Sequence, residues 1–491
     1  MKQLFKISSV AAALATITLV GSGCNKIKDF GTTNVNPGGT ATPVTAALLT
    51  NVEGNLGGYA SSIQPGQYAQ YFSETQYPST SLYAAPVLSF SGIYSADLYD
   101  LQNIIKQNTD AATKGGTINN GSNSNQIAVA RILKAYIFWT ITDRWGDIPY
   151  SDALKGTSVL LPKYDKQSDI YVDLIKELKE SVAQFDNGPI CKGDVLMNFS
   201  NSTSITSAAW STKWKKFANS LRMVIALRAS KVYPSAGQWS ATEFSAALAD
   251  GGGYISANTE NVALTYASTT FANPFYANYV TSARVDNAES KTMTDLLSAN
   301  NDPRLASYGT TPNGFPYGLD RVHATQITTG IAYILKGAGT GATDPINLLT
   351  ASVVTLARAE AAERGWTTEV AAALYAQAVT LSFAQYGYTA AQATTYLAQA
   401  SVLYGTNNIQ KIATQRWLAL YPDGTQAWAE WRRTGFPVLV PSAYAQNTGG
   451  QIPRRYIYGT DEYSLNKANV TSAAGLMTGG DVQDSKIWWD K

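Results

Sequence analysis

A single histidine and two cysteines are all the imidazole and thiol that this 491-residue chain contains. With His323 alone, a Ser–His–Asp or Cys–His relay has one possible centre, and an HExxH zinc motif cannot be written. Cys24 and Cys191 support neither a disulfide framework nor a paired Cys/His zinc set. Charge is scarce too: Asp, Glu, Lys and Arg make up 15% of the residues, 37 basic against 35 acidic. No run of five or six like charges occurs, which leaves a nucleic-acid groove without electrostatic support. There is no GxxxxGK[ST] loop, and Gly251-Gly252-Gly253 lacks the strand–turn–helix setting of a phosphate cradle. Pro422–Thr425 (PDGT) reads as a turn and not as a calcium loop. With no partner cluster around it, His323 is expected to be an ordinary loop residue.

Neutral polar and aromatic residues take the place of charge. The chain holds 29 Tyr and 11 Trp, and its 45% apolar content can bury a large core. Most rings are expected in a helical interior, where aromatics carry large buried areas. Rings on loops beside neutral hydrogen-bonding groups would suit contact with sugars.

The N-terminus reads as an address. Lys2 and Lys6, an apolar run from Ile7 to Val20 and the small residues Gly21-Ser22-Gly23 have the order of an export signal over 1–23. The run is too short to span a bilayer comfortably. Cys24 then resembles the lipobox cysteine that receives a diacylglyceryl group, with Gly21 standing where Leu or Val is usual. Acyl chains at Cys24 are expected to anchor the chain. Without Lys2 and Lys6, 35 basic residues face 35 acidic ones, so the remainder is formally neutral. Residues 24–45 are polar, Gly/Pro-rich and aperiodic, as a tether would be, and one domain over 46–491 is expected to follow. Cys191, in NGPICKGD, is expected to be a passive loop residue.

The body reads as helices. Asn125 to Asp143 is apolar nearly all round, as a fully buried helix should be, and Gly146 and Pro149 stop it within RWGDIPY. Tyr171, Leu174, Ile175, Leu178 and Val182 recur at helical spacing in the next element, its start marked by Ser168 and Asp169. Trp214, Phe217, Leu221, Val224 and Ile225 share one helical face, with Arg222 and Arg228 off it. A segment from Leu348 to Trp366 closes on Gly365 and is followed by a helix carrying Leu374, Tyr375, Ala378, Val379 and Phe383.

The last quarter is the most distinctive part: ATQRWLALYPDGTQAWAEWRRTGFPVLVP (Ala413–Pro441), then IPRRYIYGTDEYSLNKANV (Ile452–Val470). Together with the GDIPY turn between two helices, the AEAA motif holding Glu360 and NDPRL (Asn301–Leu305), it resembles the SusD/RagB family of surface nutrient-binding lipoproteins, second SusD-like type. Val353 departs from the pattern, since the family usually has Glu there. The resemblance implies a mostly α fold, a tetratricopeptide-like scaffold of helical hairpins with long loop-rich insertions. It also implies placement on the outer membrane surface, binding of an oligosaccharide without chemistry, and a SusC-like TonB-dependent transporter as partner. Nucleic acid is not an expected partner, and no cofactor is expected; a structural calcium ion cannot be read from the sequence. Arg432, Arg433, Arg454 and Arg455 are expected to staple the C-terminal segments by salt bridges and by stacking on Trp428, Trp431 or Tyr456.

Binding function usually sits on loops held by a rigid scaffold. Three insertions qualify: Gln64–Tyr94, Val232–Tyr276 and Thr311–Asn347. By loop position and chemistry the candidate ligand residues are Tyr77, Tyr83, Tyr276, Tyr279 and Arg284. The alternatives left open are a peptide or another small nutrient as cargo, a surface glycosidase, and a transporter subunit with no affinity of its own.

Overall fold

The computed structural model describes residues 43–84, 88–198, 204–335 and 341–491. The expected signal segment, Cys24 and the tether up to residue 42 lie outside them.

Helix ends follow local chemistry. The Asn123–Trp145 helix is buried on nearly every side, and Gly146 ends it with φ 88°, a left-handed conformation that costs glycine little. The Gln167–Gln184 helix packs back on it through Ile170, Tyr171, Leu174 and Leu178, giving an antiparallel hairpin. Thr206 caps the Ser207–Arg228 helix by accepting from the Ala209 N–H at 3.2 Å. Arg222 and Arg228, off the apolar face by spacing, are buried there as well. Arg222 meets Asp250 at 2.9 Å, and Arg228 donates to Gln426 Oε1 at 2.6 Å. The Val232–Tyr276 insertion is not all loop. It contains the Trp239–Leu248 helix, which packs on Ser207–Arg228 through Ala241, Phe244 and Ala247.

A second hairpin joins Ala351–Glu363 to Ala371–Gln385; Asn408–Ala419 packs on it, and Gly424–Thr434 packs on Asn408–Ala419. Thr350 caps the first of these helices, and Asp423 the last, through the Gln426 N–H at 3.0 Å. Residues Thr45–Lys491 form one compact unit, a mostly α scaffold of hairpins with three two-stranded antiparallel sheets among the described residues. No helix among the described residues is long and apolar enough to cross a membrane.

The C-terminal arginines are structural. Arg432 lies 3.7 Å over the Trp428 ring, Arg454 lies 4.8 Å over Trp431, and Arg455 pairs with Asp481 while donating to the Trp145 carbonyl. Arg433 forks between two helices. It donates to Glu360 Oε1 at 2.6 Å and to Glu430 Oε1 at 2.6 Å, and all three side chains are buried. Burial alone would raise the Glu360 carboxyl, but the charge and hydrogen bonds of Arg433, with Arg364 and Arg416, hold it down at about 2.

A carboxyl held below its unfolded value adds stability above that value and loses it as pH falls toward the folded one. The contribution of Glu360 is therefore present above pH about 4.5 and disappears as pH falls toward 2. Glu360→Gln should cost about 3–5 kcal/mol at neutral pH, because it leaves the buried Arg433 guanidinium with only one of its two carboxylates, Glu430. Its melting midpoint should also vary less with pH than the parent's between pH 5 and 2.5; equal acid slopes would remove Glu360 from this role.

Candidate functional site

The short Phe72–Glu74 strand pairs antiparallel with Asn287–Glu289, putting Glu74 opposite Asn287. Beside them the Ile63–Tyr68 helix docks on the Gly424–Thr434 helix so closely that a Cβ on Gly424 would sit 2.2 Å from the Gly66 backbone. Only glycine permits that approach. Strand pair and helix thus take their positions from the C-terminal scaffold.

From the end of the first strand, residues 75–81 form a loop gathered on one carboxylate. Glu74 accepts from the Ser79 N–H at 2.9 Å, the Ser81 N–H at 2.9 Å and the Ser81 hydroxyl at 2.6 Å. Thr75 ties the loop's other end down, its N–H to the Asp286 carbonyl at 2.8 Å and its hydroxyl to the Val285 carbonyl at 2.6 Å. Tyr77 rides on this loop with 54% of its surface exposed.

Here an open groove of ≈ 330 Å³ forms, lined by Gln64, Gln67, Glu74, Tyr77, Arg284 and Asn287 among others. Gln67 donates to Asn287 Oδ1 at 2.7 Å, and Arg284 donates to Asp286 at 2.6 Å. The groove therefore offers a flat ring, side-chain amides and one guanidinium whose charge is largely offset. Beyond it, Arg321 lies 5.3 Å over the Tyr77 ring, on the Arg321–Ala324 turn that also carries His323. His323 Nδ1 lies 2.7 Å from Asp320 and 3.2 Å from the Tyr444 hydroxyl, its ring 5.5 Å from that of Tyr444. A strip of exposed side chains thus runs from Tyr77 through Arg321 and His323 to Tyr444.

Of the sequence candidates, Tyr77 and Arg284 meet in this groove. Tyr83 does not: it is fully buried, and its hydroxyl accepts from the Ser442 N–H at 3.0 Å. No face of that ring is free to stack on a ligand, and burial pushes its phenol up. Tyr279 supports the groove from behind, donating to the Asn287 carbonyl at 2.8 Å. Tyr276 is half-buried in the one-turn Pro274–Tyr276 helix and does not line the groove. Glu74, Gln64, Gln67, Asn287, Arg321 and Tyr444 were not singled out from sequence. His323, expected to be an ordinary loop residue, sits on the same exposed strip. Its neighbours Asp320 and Arg321 gave no spacing signal, because the contacts that matter come from residues more than a hundred positions away.

Among the described residues no group of three or more His, Cys, Asp or Glu could hold a metal ion. Cys191 is buried in its loop, and burial pushes its thiol up.

Fold and groove together define a class: helical-hairpin scaffolds that carry an open, loop-built groove on their surface. The chain belongs to the SusD-like family, second type, whose family model, described as "Starch-binding associating with outer membrane", matches residues 32–459. Solved structures agree in fold. A chitin-binding protein is 27% identical, with a TM-score of 0.73, and the match covers 91% of this chain and 100% of that one. A SusD homolog from Bacteroides uniformis is 24% identical, TM-score 0.75, over 91% and 99%. A chitin-binding SusD homolog from Flavobacterium johnsoniae is 22% identical, TM-score 0.74, over 91% and 98%. No curated protein matches the chain.

The two tyrosines on either side of the loop should part company on substitution. Tyr83→Ala should cost about 3–5 kcal/mol of stability through the cavity it leaves. Tyr77→Ala, at an exposed position, should stay within about 0.5 kcal/mol of the parent. Chemical denaturation of both variants decides; a neutral Tyr83→Ala would mean that its ring is not part of the core.

Proposed function

We propose that this protein is a glycan-binding lipoprotein of the outer membrane surface. In this reading it is anchored through Cys24, stands off the membrane on residues 24–45, and captures an oligosaccharide in the Tyr77–Arg284 groove. It then hands the sugar to a SusC-like TonB-dependent transporter, with no bond made or broken.

The observation that carries the reading is the groove itself: one exposed ring on a braced loop, edged by amides and a guanidinium. Sugars present exactly those needs in reverse, an apolar ring face and a rim of hydroxyls. The family's description as starch-binding and the chitin-binding names of two similar structures support the same ligand class. Tyr77 would supply the stacking face and Arg284 a rim donor, while Tyr279 would hold the Asn287 strand in place. A glycosidase reading is weakened by what the groove's carboxylates already do. Glu74 is spent on the 75–81 loop and Asp286 on Arg284, which leaves neither poised as a free acid or base.

The test is a binding screen on the soluble form beginning at Asn25, with chito- and malto-oligosaccharides and peptides in the panel, followed by calorimetry and product analysis. A saturable glycan hit without product is expected. Tyr77→Ala should then weaken it by about 1–3 kcal/mol, roughly 5- to 150-fold. Hits confined to peptides, or cleavage of the sugar, would overturn the reading. For the anchor, Cys24→Ala should move the protein from the membrane to the soluble fraction; retention on the membrane would reject Cys24 as its attachment point.

A further inference from the structure

Within the scaffold, where the Ser207–Arg228, Asn408–Ala419 and Gly424–Thr434 helices meet, lies a cavity of ≈ 20 Å³ lined by Arg228, Arg416, Asp423 and Gln426 among others. That exceeds the roughly 10–15 Å³ needed to hold one water-sized particle. Its walls are largely apolar, but among its polar side chains unpaired donors stand out, with Asp143 Oδ2 the unpaired acceptor nearby. Nε and Nη1 of Arg228, Nε and Nη1 of Arg416 and Nε2 of Gln426 are all buried, and none makes a hydrogen bond. The nearest carboxylates stand off at 3.6 Å (Asp143 to Arg228) and 3.5 Å (Glu430 to Arg416).

Charge in this part of the core is unbalanced as well. Arg144, Arg228, Arg416, Arg432 and Arg433 are buried together with Asp143, Glu360 and Glu430. Glu360 is also shared with Arg364, and the nearby Asp490 is taken by Arg454 and Lys231. Asp423 is a weak counterion, because burial pushes its carboxyl up to about 7 and its Oδ1 already accepts from the Gln426 N–H. Surplus buried guanidinium is costly unless something neutralises it.

We propose that this cavity is a binding site for a small monovalent inorganic anion, chloride in physiological salt, held by Arg228, Arg416 and the Gln426 amide. The anion accepts from the three orphaned donor groups at once and cancels one charge of the cluster. It thereby ties the Gly424–Thr434 helix, on which the groove's own helix rests, to the Ser207–Arg228 and Asn408–Ala419 helices. A neutral water in the same place could accept only two of these hydrogen bonds and would leave the charge surplus intact.

Bromide is the probe. Crystals of the purified protein grown in sodium bromide should show an anomalous peak within hydrogen-bond distance of Arg228 and Arg416. In solution, the melting midpoint should rise saturably with chloride or bromide, by several degrees, relative to gluconate at matched ionic strength. Gln426→Glu places a carboxylate where the anion would sit, so that variant should fold, lose the halide dependence and show no bromide peak. A bromide-grown crystal of the parent with only water between the two arginines would overturn the proposal, as would identical melting in halide and gluconate.

Discussion

Arg433 joins three separate parts of the chain through one buried guanidinium. Its guanidinium reaches Glu360 on one helix and Glu430 on its own, while its Nη1 also donates to Ser230 at 2.8 Å, just past the end of a third helix. Each of these groups is costly to bury alone and tolerable only when the others are in place. The arrangement therefore tolerates one helix geometry and penalises its neighbours. Apolar packing, which is non-directional, could bring the same helices together in several ways. The RRTGFP and AEAA motifs make sense on this basis as two halves of one contact, separated by some seventy residues in the chain.

From that contact a chain of constraint runs outward to the groove. The helix carrying Arg433 begins at Gly424, whose bare backbone seats the Ile63–Tyr68 helix, and its Trp428 packs 5.2 Å from Tyr68 and stacks on Tyr456. The Ile63–Tyr68 helix in turn lines the groove through Gln64 and Gln67. The aromatic wealth of the sequence thus divides into two populations with different tasks. Tyr68, Tyr71, Phe72, Tyr83 and Phe90 of the Gln64–Tyr94 insertion are buried in the core, whereas its Tyr77 is left strongly exposed.

Periodicity made the long helices legible, because a buried helix leaves an apolar pattern that survives without its neighbours. Asn123–Trp145 and Ala371–Gln385 were readable for that reason, and Gly146 for its stop. Trp239–Leu248 was not: its buried face, Ser240, Ala241, Phe244 and Ala247, holds a single large apolar side chain, and Pro234 and Gly251–Gly253 surround it with loop composition. At the site, loop position pointed to Tyr77 and Arg284, yet composition could not separate Tyr77 from Tyr83. What separates them is a reversal of the chain. Tyr83 takes φ 62°, uncommon for a bulky residue, and is held there by its N–H to the Thr80 carbonyl and by Ser442 on its hydroxyl. Ser442 lies 359 residues further on, so no local reading could have found it. Glu74 was invisible for a related reason: a carboxylate in a Ser/Thr-rich loop looks solvated until its three serine contacts are seen.

The braced loop bears on how capture could lead to delivery. Gathering residues 75–81 on Glu74 means that the cost of ordering the loop falls on folding and not on binding, which favours affinity for a small sugar patch. Rigidity has a consequence in the other direction. A ligand held wholly within a groove that is the same in the open and closed arrangements of a lid binds both equally and shifts neither. In the proposed function, for binding to drive closure, some group that touches the sugar would have to meet the transporter as well, or the transporter would have to add contacts to the bound sugar. Arg321, His323 and Tyr444 lie beyond the groove on the same exposed strip, and a long glycan leaving Tyr77 in their direction would present itself to both surfaces at once.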